Sequence, residues 1–167
     1  MNSSLKHSLR FIGLLLLQVL VLDNLLLFGF VNPYLYVLFV ILLPLNMGKI
    51  QAMSLAFLLG LCVDIFSDTG GVHAAACLVA AYLRPLVLRF SFGINYDYQT
   101  LKFYQEGFKE RLTYVALIVF VHHLVLFSME AFQLKLWKFV LTNTLYSFTF
   151  TTVLVMLIIA LIEKEKK

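Results

Sequence analysis

Charge is what this sequence has least of. Asp, Glu, Lys and Arg make up 13% of its 167 residues, against about a quarter in a soluble globular domain. A chain so poor in charge has too little material for a water-facing surface, which excludes an ordinary soluble globule. The net charge of +4 then belongs to loops rather than to a nucleic-acid-binding face, and no nucleic acid is expected as a partner. Cysteine is nearly as scarce. Cys62 and Cys77 both sit inside apolar runs with no Cys-x-x-Cys spacing, so neither a disulfide framework nor a zinc site is indicated. Reactive motifs are lacking too: there is no Gly-x-Ser-x-Gly, no His-Glu-x-x-His and no glycine-rich phosphate loop. No enzyme, metal or cofactor is expected.

What the chain has is apolar length. It is 62% hydrophobic with a mean hydropathy of +0.93, the composition of a multi-pass membrane protein. The expected fold class is an all-α membrane protein in a single domain with six transmembrane helices, at about 11–28, 34–46, 51–66, 72–88, 112–130 and 136–162. The first resembles a signal peptide. However, no small-x-small cleavage site follows it, and a run of about 18 apolar residues is long enough to span. The second contains Pro44 and is only about 20 Å long. Making it a re-entrant dip would leave Lys49 near the bilayer centre at about 3 kcal/mol, so it is expected to cross, kinked at Pro44. Pro85 is expected to kink or end the fourth helix. The segment 89–111, in which aromatic and charged residues alternate, is expected to lie along the headgroups as a cytoplasmic loop.

Six spans put both termini on one side. With that side cytoplasmic, the inside holds Lys6, Arg10, Lys49, Arg84, Arg89, Lys102, Lys109, Arg111, Lys164, Lys166 and Lys167. The outside holds only Lys135 and Lys138, so eleven of the 13 basic residues face inward, a strong positive-inside bias.

The stretch around 52–81 is read as a close-packed hairpin. Ala52, Ala56 and Gly60 recur every four positions on its first arm, and Ala74 opens a run of small residues on the second. Such faces let helix backbones approach closely in lipid. Asp64 and Asp68 are four apart, and like charges at that spacing oppose a helix. The first arm therefore ends between them, with Gly70 or Gly71 at positive φ and Asp68 or Thr69 available to cap the second arm.

Polar residues gather towards the outer side: Asp23, Asn24, Asp64, His73, His122 and Asn143. They are candidates for an outward polar pocket, the alternative being local hydrogen bonds to backbone or water. His122 and His123 are adjacent, about 100° apart on a helix, and cannot aim at one point. The hydroxyls of 142–152 are expected to glue helices together.

The run FLLGLCVDIFSDTGGVHAA resembles the rod shape-determining protein MreD family, whose members carry a Gly-Leu-x-x-Asp core, a short turn, a Gly and often His-Ala. These correspond to Gly60, Leu61, Asp64, Gly71, His73 and Ala74. The family frequently has Pro before the turn glycine, where this chain has Gly70. The resemblance implies a non-enzymatic, multi-pass component of the bacterial inner membrane. It would act in the elongation machinery of peptidoglycan synthesis with MreC as leading partner, and with MreB, RodA and a penicillin-binding transpeptidase. It also implies a fold similar to the substrate-binding S component of energy-coupling-factor transporters, so a small-molecule uptake subunit is the alternative. S components dock through an Ala-x-x-x-Ala-like face on helix 1, whereas here helix 1 is crowded with leucine.

Overall fold

The structure is a computed structural model, and it describes residues 3–25, 32–93, 103–131 and 136–164. The described residues are helical and contain no strand. Among the described residues six α-helices run α1 Ser3–Leu20, α2 Val37–Ile41, α3 Lys49–Ser67, α4 Val72–Phe92, α5 Phe108–Ala131 and α6 Trp137–Lys164. All but α2 are long and apolar enough to cross a membrane.

Helix α1 is displaced from its expected span of 11–28. It ends at Leu20, followed by a single 3-10 turn over Leu22–Asn24. The cause is Asn24, whose Nδ2 donates to Val19 O and Leu20 O at 3.3 and 3.2 Å. The side chain thereby takes carbonyls that a further helical turn would have used. Residues 26–28 of the expected helix lie outside the described residues.

The α3–α4 hairpin is the tightest joint in the fold. A Cβ placed on Gly60 would sit 2.5 Å from His73 O and 2.6 Å from Ala74 Cα, so α3 lies directly against the first turn of α4 and only glycine fits between them. Ala52, Ala56, Ala74, Ala76, Ala80 and Ala81 are all buried along the two helices. The connecting turn needs three departures from right-handed backbone within four residues. Asp68 (φ 54) ends α3, and both Gly70 (φ 64) and Gly71 (φ 100) are positive, an arrangement that Asp tolerates and glycine adopts freely.

The second expected helix, 34–46, is the main correction to the sequence reading. Only Val37–Ile41 is α-helical, and the chain on either side is turn and irregular backbone. This broken segment runs antiparallel to α1: Pro33 and Tyr36 meet Gln18 near the end of α1, while Leu42 meets Arg10 in its middle. It also runs through the middle of the molecule. Tyr34–Ile41 are all buried, and they divide between two core clusters, with Tyr36, Phe39 and Val40 in one and Leu35, Val37, Leu38 and Ile41 in the other. Non-helical backbone survives at membrane depth only when protein surrounds it and satisfies its polar groups. Here side chains do so at both ends. Gln18 serves Pro33 O and Tyr36 N, and Thr151 Oγ1 accepts from Tyr34 N. At the far end Tyr114 donates to Ile41 O, Arg10 to Leu42 O, and Arg84 to Leu43 O and Pro44 O. Arg84, placed among the cytoplasm-facing cations by sequence, is 3% exposed and is spent inside the protein.

Helix α4 continues through Pro85 to Phe92 and ends at Gly93 (φ 67), so the expected stop at Pro85 does not occur. Residues 94–102 of the expected surface loop lie outside the described residues. Phe103, expected at the headgroups, is instead buried against Phe92 and Tyr114. Helix α6 is apolar on the outside and polar on the inside. Leu145, Val153, Leu157 and Leu161 are exposed, whereas Thr144, Ser147 and Thr151 are at most 2% exposed, the inverse of a water-facing helix. Arg111 Nη1 meets Glu163 Oε2 at 2.6 Å, joining the start of α5 to the end of α6.

Candidate functional site

The ends of α1, α3 and α5 and the start of α4 surround an open cavity of about 580 Å³. Its polar lining is Asp23, Asn24, Asn32, Tyr34, Ser67, Thr69, His73 and Glu130, and its apolar lining is Val19, Phe66, Val72, Leu126 and Met129. Of the six residues expected from sequence to form an outer pocket, Asp23, Asn24 and His73 line it directly. Asp64 and His122 stand behind its wall. Asn143 does not belong: its Nδ2 donates to Phe139 O of its own helix at 3.0 Å, and it is absent from the lining. It lies in the second turn of α6 and turns its amide back onto its own helix rather than towards the cavity.

Asp64 settles between the two roles left open for it. Gly71 is the N-cap of α4 and has no side chain to offer. The Asp64 carboxylate, reaching across from α3, accepts the N–H groups of His73 (3.0 Å) and Ala74 (2.8 Å) and the Thr69 hydroxyl. Those two N–H groups are the ones an N-cap side chain normally serves, and an anion there also complements the helix dipole. Neither Asp68 nor Thr69 caps α4. Gly60 and Asp64, one turn apart on α3, thus address the same first turn of α4, one by contact and the other by hydrogen bonds.

Asp23 is held in a second bridge. Its Oδ1 accepts from Gln18 Nε2 and its Oδ2 from Ser67 Oγ, both at 2.8 Å, tying the end of α1 to the end of α3. Behind the cavity wall runs a buried polar chain. The Tyr36 hydroxyl lies 2.7 Å from His73 Nδ1 and 2.8 Å from His122 Nε2. His123 Nδ1 donates to Val119 O, and its Nε2 accepts from Thr151 Oγ1 at 3.3 Å. As expected from their adjacency, His122 and His123 serve different partners.

One hydroxyl proton cannot serve two ring nitrogens, so one of His73 and His122 must donate to Tyr36. His122 Nδ1 is buried without a partner among the described residues. An unpaired acceptor is tolerated better there than an unpaired N–H, which puts the His122 proton on Nε2. Tyr36 then donates to His73 Nδ1, leaving the His73 proton on Nε2, an atom with no partner among the described residues on a ring that lines the cavity.

Gln18, Tyr34, Tyr36 and Glu130 belong to this region and carry little signal in the sequence, whereas Thr151, one of the hydroxyls expected to join helices, does so here through Tyr34 N and His123 Nε2. Gln18 stands alone in a leucine-rich run, and the two tyrosines lie in what reads as a plain span. A clue existed in Tyr34-Leu-Tyr36, two phenols two residues apart directly after Asn32-Pro33. Among the described residues no group of three or more His, Cys, Asp or Glu side chains is arranged to hold a metal ion. Comparison with protein-family models, curated proteins and solved structures found no match to this chain.

Proposed function

We propose that the protein is a non-enzymatic, MreD-like integral component of a bacterial inner membrane. In this reading it scaffolds MreC, and through it MreB, RodA and a penicillin-binding transpeptidase, in lateral peptidoglycan synthesis. The observation that carries the reading is the use of the resembling motif. Gly60, Asp64, His73 and Ala74 are engaged with one another in the α3–α4 joint, so the motif's acid acts as a brace rather than a reactive group. A braced hairpin suits a rigid platform for partners. In this reading both termini are cytoplasmic, the broken segment 32–48 makes the sixth pass, and the cavity opens outward. Co-purification of the detergent-solubilised protein with MreC tests it: a stoichiometric complex is expected, and reproducible failure to recover MreC overturns it.

The cavity favours a second reading, an S-component-like subunit for small-molecule uptake. Against it, the α1 face that would dock a coupling partner presents Leu9, Ile12 and Leu16, all about half exposed, in place of small residues. Accumulation of a labelled solute dependent on this chain would decide for uptake.

A further inference from the structure

The cavity's unmet polar groups are mostly acceptors. Asp23 and Glu130 line it with carboxylates, and no Lys or Arg occurs in its described lining. Both Asp23 oxygens already accept one hydrogen bond, and each retains a lone pair. Asn32 Oδ1 is buried with no partner among the described residues, a condition that costs free energy unless a guest supplies a donor. Donors border the space as well, namely the Tyr34 hydroxyl, the Asn32 amide and His73 Nε2–H, the last on a ring 6% exposed whose other nitrogen is occupied by Tyr36. Val19, Phe66 and Leu126 supply an apolar wall beside these groups.

We propose that this cavity binds a protonated amine carried on an apolar stem. The ammonium sits among Asp23, Glu130 and Asn32 Oδ1, where its three N–H donors meet three acceptors. The stem lies along the apolar wall, and His73 Nε2–H donates to a carbonyl or hydroxyl carried near the stem. Two carboxylates on one cavity, with no Lys or Arg in its described lining, favour a cation over a neutral guest. Two sources share this chemistry: the Lys side chain of a partner's segment at this end of the bundle, and a free small amine. The inference does not depend on MreC, because amine binding by the isolated protein is read separately from complex formation.

The test is calorimetric titration of the detergent-purified full chain at low salt with n-butylammonium, with Nα-acetyl-lysine methylamide, and with uncharged n-butanol. Saturable binding of an ammonium probe with none by butanol is expected. Glu130→Gln should weaken it about threefold, as for an exposed charge pair. Asp23→Asn should weaken it about tenfold, as for a charge-assisted hydrogen bond. Tighter binding of the lysine derivative, lost in His73→Phe, assigns a partner's side chain, whereas binding of butylammonium alone assigns a free amine. Silence of both ammonium probes, equal binding by butanol, or unchanged affinity in the variants overturns the proposal. Should Asp23→Asn fail to fold for want of its Gln18 and Ser67 bridges, Glu130→Gln alone decides.

Discussion

Asp64 and Gly60 carry more of the structure than any other pair of residues so close in sequence. Asp64 is 4% exposed and accepts two backbone N–H groups and one hydroxyl. Asp64→Leu strands those donors in a buried site, at about 3 kcal/mol or more. Asp64→Asn keeps one acceptor oxygen and should lose roughly half as much. Thermal unfolding in detergent checks the ranking, and equal, wild-type-like melting of both variants would remove the bracing role. At Gly60 even one methyl meets backbone. Gly60→Ala should cost about 1–3 kcal/mol through overpacking, and Gly60→Leu should separate α3 from α4 outright. Unchanged melting of Gly60→Leu would show that the helices do not touch there. The small-residue spacing made Gly60 legible in the sequence. It also named Asp64 but not its partners, because capping across a turn from the preceding helix leaves no local pattern: the acceptor is nine and ten residues from its donors.

Among the elements, the broken segment 32–44 shows where reading by periodicity stops. Its residues are apolar enough for a helix, and Pro44 signals only a kink. What keeps it from continuing as one is a set of long-range partners for its backbone, Gln18 and Thr151 at one end and Tyr114, Arg10 and Arg84 at the other. Sequence distance hides all five. Arg84 looked like a cytoplasmic anchor because a charge near a helix end normally is one, but its fork is used on Tyr114 and on two carbonyls of the segment. Arg84→Lys retains the charge and loses that planar fork, so it should destabilise by about 1–3 kcal/mol. Gln18→Leu, which strands Pro33 O and Tyr36 N, should do the same and should also increase proteolysis within 32–48. Wild-type melting and proteolysis in both variants would mean that the segment is held by packing alone.

For the molecule as a whole, composition was enough to announce an all-α, membrane-type chain, and α6 fits it, with Thr144, Ser147 and Thr151 buried while Leu145, Leu157 and Leu161 are exposed. Sidedness rests on different physics. The bridges Asp23–Ser67 and Arg111–Glu163 place the end of α1 beside the end of α3, and the start of α5 beside the end of α6. The segment 32–48 must therefore carry the chain back between α1 and α3. The basic residues at the ends of that layout then predict which side is inside; burial of Arg84 removes one cation from that count without changing its direction. Single cysteines placed in a Cys62→Ser, Cys77→Ala background read this out at three exposed positions, Ile50 at the start of α3, Lys109 at the start of α5 and Glu130 at the end of α5. A membrane-impermeant maleimide applied to intact spheroplasts should label the cysteine of Glu130→Cys at once, and those of Ile50→Cys and Lys109→Cys only after lysis. Labelling of Ile50→Cys from outside, with Lys109→Cys still protected, would mean that 32–48 turns back without crossing and that the chain makes five passes. Labelling of Lys109→Cys from outside would invert the whole molecule and turn the acidic cavity towards the cytoplasm.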